Sequence, residues 1–367
     1  MKVALLKGES RIGRPTADEM ACAFLRRGWN VAIADLAAMP HLQPDELGKC
    51  LTAGGPLDLV LSFGDYADGD GARSLGEAAG APHVVQWLDY PGRNLEEFAA
   101  STAFLFVDMS HVRAVEKFHG AGRFAFLGFG PHGAVCPPRQ IPGRAETYAD
   151  QRSMAVLLAA QRPPKEDPDV SSSDLRNIFM TAVDIAASAE WMAPLEAVEH
   201  AVALHGSRCE GPQEMSNLTC QVHRWICAER HDRFVAAAAK AGLRFCIGTT
   251  VREMQNARLV VALNGNCGRG SSEGPLTAMS AGAALATDRS AFYADAFEEG
   301  RDLMLFHWKT LEEDLERMAD LSRNPEALFA MARSGQAKVA AGHRWDNRLD
   351  GVIDAGRAAQ PANQVAA

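Results

Sequence analysis

The amino-acid sequence predicts an α/β protein with two Rossmann-like domains in succession. Three observations support this fold class: short apolar strands alternate with helices, the alternation runs twice, and a Pro- and Gly-rich segment separates the two runs. The chain has 367 residues, too many for one ordinary domain and suitable for two of moderate size. We therefore expect two parallel sheets whose carboxyl ends face a ligand cleft between the domains.

The composition argues against several classes of protein. Hydrophobic residues make up 47% of the chain and charged residues 23%, as in a globular protein with a sizeable core. A net charge of −9 argues against a nucleic-acid partner. The eight cysteines form no CxxC pair and show no zinc spacing, so we expect reduced thiols. Because no apolar run approaches roughly 20 residues and no signal sequence precedes the first strand, we expect a cytoplasmic protein without a transmembrane segment.

The first series of elements covers residues 1–140. It opens with a strand from Val3 to Leu6 and a helix from about Thr16, where Glu19 completes a capping box. The alternation then continues with strands at 30–36, 57–63, 83–88, 104–107 and 124–127 and helices at 72–79 and 110–119. The segment from Cys136 to Thr147 (CPPRQIPGRAET) has the composition of a linker.

Residues 141–345 repeat the pattern. Its predicted strands are 154–159, 244–247, 259–263, 283–286 and 303–306, and its predicted helices include 274–281, 311–322 and 325–341, with a largely helical stretch before Ala241. A final helix begins near Trp345, and residues 346–367 are predicted to form this crossing helix and a disordered tail.

Several phrases in the second half resemble the CgeB-like, or spore-maturation-protein-like, glycosyltransferases. They are 253–264 (EMQNARLVVALN), 275–282 (PLTAMSAG), 297–306 (FEEGRDLMLF) and a closing phrase with His343, Trp345 and Arg348. The first half agrees more loosely, at 87–91 (WLDYP), 106–108 (FVD) and 130–133 (GPHG). The resemblance implies a glycosyltransferase-B (GT-B) fold that binds a nucleotide-sugar between its two domains. It also implies that the last helix packs back on the first domain.

One position departs from the family pattern. Sugar-retaining relatives place a carboxylate just before the Ala-Met pair, where it holds the donor ribose, and this chain has Thr277 there. Glu273 lies four residues earlier, one helical turn away, so its carboxylate is a candidate substitute. The departure leaves donor affinity and catalysis open.

The predicted donor site is a Gly-rich loop that leads from a strand into a helix. Departure of a nucleoside diphosphate needs preorganised donors, and backbone amides at a helix start or cationic side chains supply them. We therefore predict donor contacts from Arg269, Gly270, Ser271, Ser272, Glu273 and Gly274. The alternative is an ordinary turn between a strand and a helix.

Three further places are candidate donor contacts. Arg162 and Lys165 follow the first strand of the second domain, where many relatives place cations for the diphosphate, or they belong to a solvated basic loop. Asn264 ends a strand beside the Gly-rich loop and is either a donor contact for a base, ribose or sugar hydroxyl or a simple turn residue. Thr249 is a candidate for the nucleobase rim, although an ordinary loop residue is the favoured alternative.

On the acceptor side, an inverting enzyme needs a general base for the attacking hydroxyl. Asp89, Asp108, His111 and His132 all follow predicted strands. We select Asp89 first and His132 second as catalytic residues, whereas His343 and Arg348 are expected to anchor the last helix.

No metal or other cofactor is predicted. The run Asp65, Asp68, Asp70 lies in the first domain in a Gly-rich turn and lacks the spacing of a calcium-binding loop. The predicted partners are therefore a nucleotide-sugar donor and an unidentified acceptor, and a homodimer is left open.

Two other functions compete with sugar transfer. One is a non-catalytic GT-B-like protein that binds a nucleotide or glycan, and the other, ranked lower, is a nucleotide-sugar epimerase. A dehydrogenase is disfavoured because residues 8–13 (GESRIG) lack the Gly-x-Gly-x-x-Gly spacing.

Overall fold

The computed structural model describes residues 1–8, 13–39, 42–64, 66, 74–165, 168, 172–206, 211–265 and 267–360. These residues form two compact units, one made of Met1–Val135 with the segment that begins at Arg344, and one made of Cys136–His343. Each unit is organised around one parallel sheet. In the described part of the chain, no helix is both long and apolar enough to cross a membrane.

The first unit contains a six-stranded sheet. Its strands are β1 (Lys2–Lys7), β2 (Asn30–Asp35), β3 (Leu59–Ser62), β4 (His83–Trp87), β5 (Ala103–Phe106) and β6 (Phe126–Phe129), in the order β2-β1-β3-β4-β5-β6. The accompanying helices are α1 (Gly13–Arg26), α2 (Pro44–Thr52), α3 (Leu75–Ala79) and α4 (Met109–His119). Alternate residues of β1 enter different cores: Leu5 packs with Phe24 of α1, and Leu6 packs with Leu47 of α2. Helices therefore cover both faces of the sheet, as in a doubly wound fold.

The second unit contains a five-stranded sheet. Its strands are β7 (Met154–Leu158), β8 (Cys246–Ile247), β9 (Ala257–Ala262), β10 (Ala284–Asp288) and β11 (Met304–Phe306), in the order β11-β10-β9-β7-β8. Its helices are α5 (Ala145–Asp150), α6 (Ser173–Ser188), α7 (Pro194–His205), α8 (Pro212–Lys240), α9 (Val251–Asn256), α10 (Glu273–Ser280), α11 (Ala291–Ala296), α12 (Leu311–Ser322) and α13 (Pro325–Gly342).

The predicted helical stretch before Ala241 is a three-helix insert between β7 and β8. Helices α6, α7 and α8 share an apolar core that includes Phe179, Val198 and Val222. The last turns of α8 instead join the core under the sheet, through Phe234 and its neighbours. One long helix thus connects the insert to the sheet of its own unit.

The last described helix, α14 (Leu349–Ala358), lies in the first unit. Leu349 and Val352 share a core with Val3 and Leu5 of β1, which confirms the prediction that the C-terminal helix packs back on the first domain. The approach is close, since a Cβ added at Gly356 would lie 2.8 Å from Leu59 Cδ1.

The boundaries of several predicted elements differ in the structure. Helix α1 begins at Gly13, so Thr16 lies inside the helix and is not the predicted N-cap. The strand predicted over 124–127 is observed at Phe126–Phe129. The strand expected over 244–247 is reduced to the two exposed residues of β8 at the sheet edge. The helix expected from about Trp345 begins at Leu349, because a short 3-10 turn occupies Trp345–Asn347. The linker expected over 136–147 ends in α5, which starts at Ala145.

Candidate functional site

The loop between β9 and α10, residues 263–272, is the candidate site of the second unit and is called the Gly-rich loop below. Its position 266 is outside the described residues. The loop leaves the carboxyl end of a central strand, the place where parallel sheets bind ligands. Six of the predicted donor residues lie in this loop or in the first turn of α10, and Asn264 lies at the start of the loop.

Asn264 organises the Gly-rich loop from inside. Its carboxamide Nδ2 donates to the carbonyl oxygens of Cys267 (2.6 Å) and Gly270 (3.2 Å). Its Oδ1 accepts from the backbone amide of Ser272 (2.9 Å) and from the Ser272 hydroxyl (3.2 Å). Asn264 has only 1% of its surface exposed, and its side chain is engaged in holding the loop. The predicted role of Asn264 in direct donor contact stays a prediction, and a positioning role is what the contacts support.

Ser271 is also buried inside the loop. Its hydroxyl donates to the Ser272 carbonyl oxygen (2.7 Å) and lies 2.6 Å from the hydroxyl of Tyr293 on α11. Burial raises the pKa of Tyr293, so this phenol is neutral in the folded protein. The pair fixes the end of the loop against α11.

The start of α10 offers backbone amides at the carboxyl end of the sheet. Glu273 and Gly274 form its first turn, and the Ser272 hydroxyl is engaged by Asn264 instead of capping the helix. The space beside Gly274 is moderate, since the nearest described atoms to an added Cβ are Ala262 Cβ at 3.8 Å and Ala159 O at 3.9 Å. The helix dipole favours an anion there. Arg269 is exposed at the rim of the same loop, and Glu273 is half-buried.

Asp288 supports the loop from below and was not selected from the sequence. This buried residue ends β10. Its carboxylate accepts from the backbone amide of Asn264 (2.7 Å) and from the Trp308 indole Nε1 (3.4 Å). Burial raises the pKa of Asp288, and the positive charge of Arg230 opposes that shift. An acidic residue at the end of a predicted strand was the signal that could have identified it.

Arg162 and Lys165 are paired with carboxylates of α8. The Arg162 guanidinium donates to both oxygens of Asp232 (2.6 and 3.0 Å), and Lys165 Nζ donates to Glu229 Oε2 (2.7 Å). The Arg162 pair lowers the pKa of Asp232. The two cations share Asp232 as a partner, and their charges are matched by acids of α8. Their role at the donor diphosphate stays a prediction.

Thr249 follows β8 and is half-buried. The next residue, Thr250, caps α9 in a capping box with Glu253. That carboxylate occupies the space where a Cβ on Gly248 would lie, which explains the glycine at this position. The nucleobase role of Thr249 stays a prediction.

The acceptor-side candidates lie at the strand ends of the first unit. Asp89 is exposed, two residues beyond β4. Asp108 is buried and caps α4, accepting from the Ser110 amide at 2.8 Å. His111 is buried on α4, with its ring edge-on to Tyr90 at 4.9 Å between ring centroids.

His132 lies beyond β6 and is 1% exposed. Its Nδ1 is 2.7 Å from the Gly133 carbonyl oxygen, so Nδ1 carries the proton and Nε2 is left as the acceptor. Among the described residues, none lies within hydrogen-bonding distance of His132 Nε2. Burial, helped by the positive charge of Arg348, lowers the pKa of His132 to about 4, against the effect of the Gly133 bond. His132 is therefore neutral near pH 7 and its free nitrogen can accept a hydrogen bond.

Two further features of the sequence concern missing or clustered carboxylates. Thr277, in place of the family carboxylate, is buried on α10. Asp65, Asp68 and Asp70 lie outside the described residues. Within the described ranges, no group of three or more His, Cys, Asp or Glu side chains is placed to hold a metal ion.

Part of the sequence and the fold of the chain are similar to those of known proteins. Residues 189–354, which include the Gly-rich loop, match a family model described as glycosyl transferase-like. A comparison with curated proteins found no match. An alpha-glucosyltransferase solved with UDP-glucose and DNA containing an abasic site is similar over 96% of this chain and 98% of its own, with 11% identity and a TM-score of 0.53.

Two further solved structures cover nearly the whole chain with lower scores. One is a glycosyltransferase from Rickettsia africae ESF-5, at 8% identity, 98% coverage of each chain and a TM-score of 0.48. The other is Anabaena Alr3699/HepE with UDP and glucose, at 12% identity, 96% and 98% coverage and a TM-score of 0.45.

The fold prediction is confirmed: the chain has two Rossmann-like units of the GT-B class. The matched family supports the predicted glycosyltransferase function. The matched region begins in the α6–α7 connection and runs through the Gly-rich loop to α14.

Proposed function

We propose that this protein transfers a sugar from a nucleotide-sugar donor to a hydroxyl-bearing glycan, protein or small-molecule acceptor. The observation that carries the proposal is the hydrogen bonding of Asn264 to the Gly-rich loop at the start of α10, inside the region that matches glycosyl transferase-like proteins. An anion-binding helix start at the carboxyl end of a parallel sheet suits a diphosphate.

In the proposed reaction, the acceptor oxygen bonds to the anomeric carbon of the sugar as the bond from that carbon to the diphosphate oxygen breaks. The leaving group gains negative charge, and the amides of Glu273 and Gly274 stabilise it with the exposed guanidinium of Arg269. Arg162 and Lys165 approach the diphosphate by exchanging their carboxylate partners on α8.

The acceptor proton needs a base, and the first unit provides the two candidates selected from the sequence. Asp89 is exposed and acceptor-accessible. His132 presents a neutral Nε2, but a pKa of about 4 makes it a weak base. We propose Asp89 as the base because its side chain is exposed, and His132, whose ring is buried, stays the second candidate.

The finer features of the proposal come from the sequence resemblance. We propose a CgeB-like enzyme that acts in the cytoplasm and uses neither a metal nor another cofactor, because amides and cationic side chains take the role of the metal at the diphosphate. A homodimer is compatible with it.

A second candidate is a non-catalytic protein that retains nucleotide or glycan binding. Two observations favour it: Thr277 is buried where relatives carry the ribose-binding carboxylate, and the cations Arg162 and Lys165 are paired with acids. Under the first candidate, Glu273, half-buried one turn earlier, takes the place of this carboxylate.

The test measures binding and turnover together. Thermal unfolding is followed with a panel of nucleoside diphosphates and nucleotide-sugars, where a ligand at 100 times its dissociation constant raises stability by about 2.7 kcal/mol. Release of nucleoside diphosphate is then measured with hydroxyl acceptors. Binding with turnover that Glu273→Ala and Arg269→Ala abolish supports the transferase. Binding without turnover favours the second candidate, and absence of binding to every donor contradicts both.

A further inference from the structure

Trp191 is a half-buried aromatic residue in the connection between α6 and α7, and no site prediction included it. Its indole lies directly against Gly268 of the Gly-rich loop. A Cβ added at Gly268 would lie 1.7 Å from Trp191 Cε2 and 2.1 Å from Cδ2 and Cζ2, so any side chain there would overlap the fused rings. Gly268 is therefore required for this contact.

The backbone around Trp191 is held in place from two directions. The buried guanidinium of Arg230 on α8 donates to the carbonyl oxygens of Ala189 (3.4 Å) and Glu190 (3.1 Å). The Glu190 carboxylate accepts from the backbone amides of Trp308 (3.0 Å) and Lys309 (3.3 Å). The Trp308 indole in turn donates to Asp288, and Asp288 also accepts from the backbone amide of Asn264. One hydrogen-bond network therefore holds both the backbone next to Trp191 and the start of the Gly-rich loop. The backbone next to Trp191 is thus fixed relative to the Gly-rich loop.

The strand order places Trp191 at one end of the proposed donor site. The order is β11-β10-β9-β7-β8, and the amides of α10 lie over β9 and β7, near Ala262 and Ala159. Thr249, the predicted nucleobase rim, follows β8 on one side of these amides. Gly268 lies on the other side, since its carbonyl oxygen accepts from Ala291 just beyond β10 (2.9 Å). A nucleotide-sugar with its base at Thr249 and its diphosphate at α10 therefore has its sugar on the side of Trp191.

We propose that Trp191 binds the sugar ring of the donor, with the C–H face of the ring stacked on the accessible part of the indole. The inference rests on the proposed function and names the part of the substrate that this residue recognises. Aromatic side chains are well suited to this task because a pyranose has apolar C–H faces that pack against an aromatic ring. Such a contact recognises the sugar ring by its shape and needs no charged group. The helical insert is then a specificity element of the donor site.

The experiment compares each nucleotide-sugar with its own free diphosphate. Calorimetry measures the dissociation constants of UDP-glucose and UDP, GDP-glucose and GDP, and ADP-glucose and ADP for the wild type, and the best-bound pair is used for the variants. We expect Trp191→Ala to weaken the nucleotide-sugar about three- to tenfold and the free diphosphate less than about twofold. Trp191→Phe should retain most of the difference between the two ligands.

Gly268→Ala tests the same contact with the tryptophan still present, because the added methyl group displaces the indole. It should lower the sugar-dependent part of the affinity as Trp191→Ala does. Gly351→Ala is the matched control, since no atom lies within 4 Å of a Cβ added there. The ratio of two affinities measured on one variant is insensitive to a partly misfolded sample, so a loss of yield does not prevent the test. Should Trp191→Ala fail to fold, the ratios of Trp191→Phe and Gly268→Ala decide.

Equal weakening of both ligands, or no change in either, overturns the assignment of Trp191 to the sugar. That outcome leaves the proposed function standing, because the wild type still binds the donor. If the wild type binds neither member of any pair, the proposed function itself fails.

Discussion

Asn264 connects three parts of the Gly-rich loop through one carboxamide, so its side chain should matter more for stability than an exposed asparagine. Asn264→Ala removes bonds to Cys267, Gly270 and Ser272 inside a buried site. Since a net hydrogen bond contributes about 1 kcal/mol and buried groups left unpaired cost more, we expect a loss of about 2–4 kcal/mol in the free energy of unfolding. Urea denaturation measures it.

The control for Asn264 is Asn324→Ala, which removes the N-cap bond to Ala327 at the start of α13. A cap costs about 1 kcal/mol. Under the proposed function, Asn264→Ala should also weaken nucleotide-sugar binding, whereas Asn324→Ala should not. Equal stability losses in the two variants would contradict the organising role of Asn264.

Two buried histidines make the stability of the first unit depend on pH. Burial lowers the pKa of His132 to about 4, and burial, opposed by the charge of Asp108, lowers the pKa of His111 to about 4. The ordinary histidine pKa is about 6.5, so between about pH 6.5 and pH 4 the unfolded chain binds more protons than the folded chain. The free energy of unfolding therefore falls as the pH falls through this window, by about 1–2 kcal/mol for each histidine at pH 5.

Urea denaturation at pH 7 and pH 5 tests this dependence. The difference in the free energy of unfolding between pH 7 and pH 5 should be smaller in His132→Gln than in the wild type. It should be smaller still in the double variant with His111→Gln. His200→Gln, at an exposed position on α7, is the control and should behave as the wild type. An unchanged difference in the double variant would show that other groups cause the pH dependence.

At the scale of elements, basic side chains in the connection after β7 form ion pairs with acidic side chains of helix α8. Arg162 and Lys165 are bonded to Asp232 and Glu229, and these pairs are partly exposed. Exposed ion pairs contribute little to folding because solvent screens them. We expect Arg162→Ala with Lys165→Ala to leave thermal unfolding nearly unchanged but to weaken nucleoside diphosphate binding about tenfold or more.

The contrasting variant is Arg301→Ala, which removes an exposed pair with Glu298 outside the proposed donor contacts. It should change neither stability nor binding. If calorimetry shows that the double variant of Arg162 and Lys165 keeps its diphosphate affinity, the two cations only form ion pairs with α8 and do not bind the donor. That result would favour the non-catalytic candidate.

The regular elements were predictable because their sequence signals are local. Apolar runs such as 259–263 predict a buried strand, and the strand end at Asn264 with the glycines that follow predicts the loop. The edge strand β8 was too short to be bounded this way, since its two residues are exposed and its pairing comes only from β7. Elements that depend on distant partners carry no local pattern.

The same reasoning explains which site residues were missed. Trp191 has no periodicity around it, and only the fold brings it to Gly268, 77 positions later in the chain. The pairing of Arg162 with Asp232 spans 70 residues and is equally invisible in the sequence. Asp288 could have been found, because strand ends had already identified Asp89 and Asp108 and the same rule applies to the end of β10.

At the scale of the whole molecule, the first unit is assembled from both ends of the chain. Its sheet is built by residue 129, but Trp345, Leu349, Val352 and Ala355 enter the same core as Val3 and Leu5. The packing of the C-terminal helix on the first unit was predicted from the phrase with His343, Trp345 and Arg348, which resembles the end of the CgeB-like glycosyltransferases. The first unit consequently cannot complete its core until the second unit has been synthesised.

This dependence predicts the behaviour of a chain that ends at His343. Each lost large side chain costs about 2–5 kcal/mol in a core, so the loss of Trp345, Leu349 and Val352 together is as large as the usual stability of about 5–15 kcal/mol. The second unit keeps all its residues, because it ends at His343. We expect hydrogen exchange, read by mass spectrometry, to show lost protection in β1 and β3 and retained protection in β9 and β10.

Point variants of α14 separate the loss of the core from the loss of chain length. Val352→Asp buries a charge at a position that is 1% exposed, so it should reproduce the loss of protection in β1 and β3 in the full-length chain. Arg357→Ala lies on the exposed side of the same helix, where its pair with Asp354 is open to solvent, and should leave exchange unchanged. If β1 and β3 stay protected in both the shortened chain and Val352→Asp, the first unit folds without α14, and the packing of this helix adds little to its stability.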